Sequence, residues 1–169
     1  MKKGFTTIEV LITIGVLALL SSILITYSRT GEKQIILFKE GAVISEIISR
    51  AKTLSLSLYG KSGEIPCGYG VYFEDSGKFI LFKDLASDCN SSDKKYSGEN
   101  EIVESFQLNS AIEFKSLGLS DILFIPPDPK VFITPQKDEA DIILKILKGE
   151  DSIKIKVTDA GQISTEKNQ

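Results

Sequence analysis

The chain has 169 residues, of which 42% are hydrophobic and 25% are charged, and its formal net charge is −3. This composition excludes a disordered acidic tail and a polytopic membrane protein, and the acidic balance argues against a dedicated nucleic-acid binder. The sequence holds no histidine and two cysteines, so it lacks the commonest general base and cannot build a four-cysteine zinc site.

An apolar run of 21 residues extends from Phe5 to Ile25 and contains one charge, Glu9. Because a bilayer-spanning helix needs about 20 apolar residues, the run predicts a membrane-spanning helix. It is longer than the apolar part of a secretory signal, and no matching cleavage site follows it. A carboxylate is costly inside lipid, so Glu9 either lies at the membrane surface or has a positive partner.

Residues 2–12, with the sequence KKGFTTIEVLI, carry a resemblance. The segment resembles the amino terminus of the type IV pilin and type II secretion pseudopilin superfamily, which has a basic leader, a glycine, a phenylalanine, a glutamate and then an apolar helix. The resemblance implies that prepilin peptidase cleaves between Gly4 and Phe5 and methylates the new amino group of Phe5. It also implies that Glu9 pairs with the Phe5 amine of a neighbouring subunit and sets the filament register.

Two departures from the family pattern refine this interpretation. Thr7 occupies a position where the family usually has leucine, and Val16 to Tyr27 contains neither the glycine nor the proline of many major pilins. The sequence is therefore more similar to a minor pilin or pseudopilin.

The family also implies a location and partners. The leader would lie in the cytoplasm and the body outside it, with a single-pass anchor in the inner membrane before entry into an extracellular or periplasmic filament. The expected partners are prepilin peptidase, other pilin or pseudopilin subunits and an inner-membrane assembly platform. No cofactor and no catalytic residues are expected.

After Ile25 no proline occurs before Pro66, and apolar residues recur at helical spacing. They form one predicted core stripe: Leu37, Ile44, Ala51 and Leu58, with Ile47 and Leu54 between them. Charged residues such as Lys39, Glu46 and Arg50 take the other positions, which is typical of an amphipathic helix. Gly31 and Gly41 weaken this helix by roughly 1 kcal/mol each relative to alanine.

Beyond residue 66 the hydrophobic period changes to two, which predicts strands. Residues 68–73 and 78–83 form a predicted hairpin, and six further runs follow: 102–108, 111–117, 122–125, 131–134, 141–147 and 153–157. A last short strand is predicted at 162–164. The glycine-rich aromatic hairpin and the final glycine turn loosely resemble minor pilins and pseudopilins of the GspH/FimT type.

The predicted fold class is α+β. A long N-terminal helix, with a transmembrane half and an amphipathic half, packs on an antiparallel β-sheet domain. The predicted organisation is a leader at residues 1–4, a transmembrane assembly helix at 5–27 and an extracytoplasmic domain at 28–169. In that domain the helix continues to about residue 60, and strands follow.

Two features of the polar segment from Asp84 to Asn100 have chemical interest. Cys67 and Cys89 could form a disulfide outside the cytoplasm, where such bonds persist, or remain two separate thiols. Asp84, Asp88, Asn90 and Asp93 are calcium candidates because some pseudopilins bind calcium in acidic loops, but their spacing is irregular and a solvated loop is the simpler interpretation.

The leading functional prediction is a structural subunit, a minor pilin or pseudopilin of a type IV pilus or a type II secretion pseudopilus. The alternative is an adhesion or DNA-uptake module that binds through the loops at residues 84–100 or 126–135. The acidic charge disfavours nucleic acid as the ligand.

Overall fold

The computed structural model describes residues 4, 6–57, 66–115, 117–126 and 130–168, with the backbone alone for 24–30, 130 and 168. The chain divides into two compact units, Met1–Ile35 and Ile36–Gln169. The first unit contains the helical residues 7–35, and the second contains the rest of the helix and all of the described strands.

One long helix, α1, covers Thr7–Leu56 and contains 50 residues. Its length agrees with the absence of proline over this range, since proline would remove a backbone hydrogen bond and break the helix. The predicted end near residue 60 falls among residues 58–65, which lie outside the described part of the chain.

The predicted transmembrane half of this helix is wrong. In the part of the chain that the structure describes, no helix combines the length and the apolar character needed to cross a membrane. The predicted length of the apolar run starts at Phe5. Phe5 lies outside the described residues, and the helix begins at Thr7. The charged Glu9 and polar residues such as Thr13 and Ser21 also interrupt the apolar sequence.

Nine strands follow the helix among the described residues of the second unit. They are β1 (Gly68–Phe73), β2 (Lys78–Asp84), β3 (Ile102–Gln107), β4 (Ile112–Phe114), β5 (Asp121–Ile125), β6 (Lys130–Thr134), β7 (Glu139–Ile146), β8 (Ser152–Thr158) and β9 (Ile163–Asn168). A single 3₁₀ turn at Glu99–Glu101 precedes β3.

The strands form two antiparallel sheets where the sequence predicted one. The five-stranded sheet has the order β3-β2-β1-β5-β6, and the four-stranded sheet has the order β4-β7-β8-β9. The difference arises because β4 leaves its sequence neighbour β3 and pairs with β7, whereas β5 returns to pair with β1. Pairing between strands that are distant in sequence does not change the hydrophobic period within either strand, so the sequence pattern could not predict it.

The main core lies where the second unit's part of α1 packs against the two sheets. It contains the stripe residues Leu37, Ile44, Ile47 and Ala51, together with apolar side chains from both sheets. Leu54 is partly buried against it, and Leu58 lies outside the described residues. The helix stripe therefore unites the two sheets into one core.

Polar contacts fix the helix on both sheets. Arg50 Nη1 lies 2.7 Å from Glu104 Oε2 on β3, and Lys52 Nζ donates to the carbonyl oxygen of Gly161 at 2.9 Å, just before β9. The buried hydroxyl of Ser55 donates to the Phe124 carbonyl on β5. Because the Arg50–Glu104 pair is about half exposed, we attribute most of the stability of this packing to the apolar core.

Candidate assembly site

The first turn of α1 is closed by a reciprocal cap between Thr6 and Glu9. The Thr6 amide donates to Glu9 Oε2 at 2.8 Å, the Thr6 hydroxyl donates to the same oxygen at 2.7 Å, and the Glu9 amide donates to Thr6 Oγ1 at 3.4 Å. This is a capping box, in which two otherwise unpaired amides at the helix start are satisfied. The role of Thr6 was not among the predictions, although the pattern T-x-x-E before an apolar run is a recognised signal for such a cap.

The helix beyond this cap exposes large apolar side chains on every side. We call residues Ile8 to Ile23 the apolar segment. Its exposed members are Ile8, Val10, Leu11, Ile12, Ile14, Val16, Leu17, Leu19, Leu20 and Ile23, and each is 46–70% exposed. Since successive helical residues are rotated by about 100°, no direction around the segment is polar throughout. Large apolar side chains on every side of a helix favour its burial against other apolar groups.

The predicted processing residues lie just before this segment. Gly4 is exposed, and nothing lies within 4 Å of the position that a Cβ would take there. Phe5, the predicted methylation site, lies outside the described residues. Glu9 is exposed and is engaged by Thr6 of its own chain.

Cys67 and Cys89 are joined by a disulfide with a Cα–Cα distance of 5.2 Å. Cys67 is buried at the start of β1, and its amide donates to the Asp84 carbonyl oxygen at 2.8 Å. Cys89 lies exposed in the segment after β2. The disulfide therefore joins this segment to the open end of the hairpin, where β1 begins and β2 ends.

The four calcium candidates do not converge. Asp84 is buried and accepts a hydrogen bond from the Ser92 hydroxyl, while Asp88 Oδ1 accepts from the amide and side chain of Asn90. Asp93 accepts from the Lys95 amide and the Ser97 hydroxyl. Within the described residues no group of three or more potential ligands could hold a metal ion.

Buried carboxylates hold residues 85–98, which we call the outer loop, against the five-stranded sheet. Glu101 accepts from the amides of Ser97 at 2.7 Å and Leu85 at 3.2 Å, and Asp121 accepts from the Tyr96 amide at 3.1 Å. The Tyr96 ring packs on the rings of Tyr72 and Phe82. The sequence predicts a solvated loop and does not identify Glu101 or Asp121, because nothing in the local sequence distinguishes a buried acid from an exposed one.

Burial also raises the pKa of two carboxyl groups in and beside this loop, those of Asp84 and Asp121. It raises the pKa of Asp84, with a hydrogen bond from Ser92 opposing the change, and it raises the pKa of Asp121, with hydrogen bonds from Ser120 and Tyr96 opposing it. The carboxylates therefore organise the loop at a cost in solvation, which is the usual balance for buried acids.

Comparison of the chain with protein-family models, with curated proteins and with solved structures found no match.

Proposed function

We propose that this protein is a structural subunit of a filament of the type IV pilus or type II secretion pseudopilus kind, processed by prepilin peptidase after Gly4. The observation that carries the proposal is the apolar segment, a helical stretch that exposes large aliphatic side chains on every side. Copies of the same helix, packed side by side, would cover these side chains from all directions. The sequence KKGFTTIE before and at the helix start supplies the processing signal that such assembly requires.

Glu9 has two roles in this proposal. It caps its own helix through Thr6, and its carboxylate is exposed, so it can also receive the Phe5 amine of an adjacent subunit. An ion pair among apolar side chains is favourable only when the two charges meet, so the pairing would select one stagger between neighbours.

The disulfide supports placing the body outside the cytoplasm. Such bonds persist in oxidising compartments and are rare where thiols are kept reduced. Cys89 is exposed, so a reducing environment would have access to the bond. A filament that works in the periplasm or outside the cell meets this condition.

The first test examines the mature amino terminus. The chain is produced with and without an active prepilin peptidase, and the terminal peptide is analysed by mass spectrometry. We expect Phe5 as the first residue, carrying one methyl group, only when the peptidase is active. An uncut chain in the presence of active peptidase would overturn the proposal.

The second test separates capping by Glu9 from pairing by Glu9. A glutamine at this position preserves a capping box but removes the charge, whereas alanine removes both. If pairing sets the register, both Glu9→Gln and Glu9→Ala reduce incorporation into filaments, while the matched control Glu32→Gln is incorporated normally. Normal incorporation of Glu9→Gln would show that the charge has no role in assembly.

A further inference from the structure

The outer loop contains the sequence Asn90-Ser91-Ser92, in which an asparagine is followed at the second position by a hydroxyl residue and no proline intervenes. This spacing is the acceptor signal for N-linked glycosylation, a modification of surface loops in secreted proteins. Asn100 and Asn109 have isoleucine and alanine at the second position, so neither matches the signal. Whether a glycan fits at Asn90 depends on what surrounds this residue.

Asn90 lies in an exposed β-turn. The Ser91 amide donates to the Asp88 carbonyl oxygen at 3.0 Å and closes the turn, and residues 87–91 are all exposed. The Asn90 side-chain nitrogen, Nδ2, donates to Asp88 Oδ1 at 3.1 Å, and this carboxylate is itself exposed. A sugar on Nδ2 therefore extends into solvent and displaces no buried group.

The turn is attached to the five-stranded sheet on both sides of Asn90. On one side Cys89 is bonded to Cys67, which is buried at the start of β1. On the other side the Ser92 hydroxyl donates to the buried carboxylate of Asp84, at the end of β2. The hydroxyl that the acceptor signal requires is therefore engaged in the folded loop, while the asparagine is exposed.

We propose that Asn90 accepts an N-linked oligosaccharide from a donor in which the sugar is joined through pyrophosphate to a polyprenyl lipid. Nδ2 of Asn90 bonds to C1 of the first sugar as the bond from C1 to the pyrophosphate oxygen breaks. The lipid pyrophosphate leaves with that electron pair, and Nδ2 releases one proton to a base of the transferase. This inference rests on the proposed extracytoplasmic location of the body but not on filament assembly.

The contacts of Ser92 determine when the transfer occurs. A transferase has to recognise both Asn90 and the Ser92 hydroxyl, but Asp84 holds this hydroxyl in the folded protein. Asp84 is 1% exposed, so the enzyme can separate the pair only when the loop opens. Transfer therefore takes place on the newly exported chain, before the outer loop closes, and is slow on the folded chain.

Transfer to the purified full chain, kept folded and monodisperse in a mild detergent, tests the proposal. The chain is incubated with a purified oligosaccharyltransferase and its lipid-linked oligosaccharide, and mass spectrometry of the peptide that contains Asn90 measures the rate. Because the assay uses the purified chain, its outcome is independent of processing by prepilin peptidase and of export.

Two aspartate variants test the effect of Asp84. Asp84→Ala frees the Ser92 hydroxyl, so we expect transfer at least about tenfold faster than to the natural chain, which has to open its loop first. Asp93→Ala is the matched control. Asp93 is an acid of the same loop that accepts from residues 95 and 97, so its removal should leave the rate unchanged.

Two adjacent serines locate the acceptor signal. In the Asp84→Ala chain, the additional change Ser92→Ala removes the required hydroxyl and should abolish transfer to Asn90. The additional change Ser91→Ala alters the middle position, which the signal leaves open, and should retain transfer. No glycan at Asn90 in the Asp84→Ala chain, or a glycan that persists with Ser92→Ala, would overturn the proposal. Equal rates for the natural and Asp84→Ala chains would overturn the proposed order of glycosylation and loop closure.

Discussion

A Cβ atom placed on Gly41 would lie 2.2 Å from Cδ1 of Ile153. The helix and β8 therefore meet at a point where the helix has no side chain. Ile153 is buried in the main core, so its terminal methyl has little room to move away. The glycine that weakens the helix locally is the one that lets it approach the four-stranded sheet.

This contact predicts that Gly41→Ala destabilises the protein. Alanine favours the helix by up to about 1 kcal/mol, but overpacking a full core costs about 1–3 kcal/mol, so we expect a net loss of up to about 2 kcal/mol. The free energy of unfolding, measured by denaturant titration with circular dichroism, reports the change.

A second substitution tests the cause. Ile153→Val removes the Cδ1 atom, so in the double variant the alanine should cost at least about 1 kcal/mol less than it does alone. Gly31→Ala is the matched control, because nothing lies within 4 Å of its Cβ position and it should be neutral or stabilising. Additive effects of Gly41→Ala and Ile153→Val would show that the two residues do not clash.

The local patterns of the sequence identified the helix stripe and the strand runs but not their arrangement. Leu37, Ile44 and Ala51 were predicted as core from helical spacing and are buried. The division into two sheets depends on β4 pairing with β7, a choice made by contacts between distant residues. The need for glycine at position 41, but not at position 31, likewise follows only from what lies opposite each residue.

For the candidate site too, the sequence predicted contiguous motifs but not contacts between distant residues. The residues that resemble a processing motif are contiguous, so the sequence could identify Gly4, Phe5 and Glu9 as candidates. The apolar run led to the wrong prediction of a membrane-spanning helix, because counting apolar residues gives no information about where the helix begins. Burial of Asp84 and Glu101 depends on how the outer loop folds over the sheet, and the composition of that loop resembles that of a solvated one.

Removing the Thr6 hydroxyl should loosen the start of α1. Thr6→Val keeps the shape of the side chain but loses its part of the reciprocal cap with Glu9, which we expect to cost about 1 kcal/mol. Faster amide exchange in the first turn measures the effect. Thr13→Val is the matched control, because its hydroxyl donates to the Val10 carbonyl within the helix and takes no part in the cap. Equal effects of the two variants would contradict the cap.

The disulfide should stabilise the second unit by restricting its unfolded chain. Cys67 and Cys89 are 22 residues apart, which corresponds to about 3 kcal/mol in the chain-entropy treatment. We expect the double variant Cys67→Ala with Cys89→Ala to lose about this amount in denaturant unfolding. Exchange of the Tyr96 and Ser97 amides should stay slow in the variant, since Asp121 and Glu101 still accept from them. Fast exchange there would show that the bond alone holds the loop.

Glu101 should contribute more to the outer loop than its exposed neighbour Glu99 does. Glu101→Ala leaves the Leu85 and Ser97 amides without their acceptor, and we expect a loss of about 2–3 kcal/mol in the free energy of unfolding. Glu101→Gln keeps one oxygen and should lose less. The matched control Glu99→Ala should change stability by no more than about 0.5 kcal/mol. Equal losses for Glu101→Ala and Glu99→Ala would contradict the role of the buried carboxylate.

Asp84 should make the stability of the second unit depend on pH in an unusual direction. Burial raises the pKa of Asp84, and Glu101 and Asp93 add to the change, while the Ser92 hydroxyl and Lys94 oppose it. A carboxyl whose pKa is higher in the folded state binds its proton more tightly there than in the unfolded state. Its ionisation therefore destabilises the fold at neutral pH, and this effect disappears as the pH falls through the raised pKa to below the ordinary value.

Asp84→Asn isolates this effect, because asparagine cannot ionise and still offers an oxygen to the Ser92 hydroxyl. We expect the free energy of unfolding of the variant, relative to the natural chain, to be highest near neutral pH. The difference should shrink as the pH falls through the raised pKa of Asp84 and below the ordinary pKa of aspartate, because the carboxyl of the natural chain then becomes protonated. Denaturant titrations of both proteins at a series of pH values measure it. A difference that grows on acidification would mean that the Asp84 carboxylate is stabilised by its partners rather than penalised by burial.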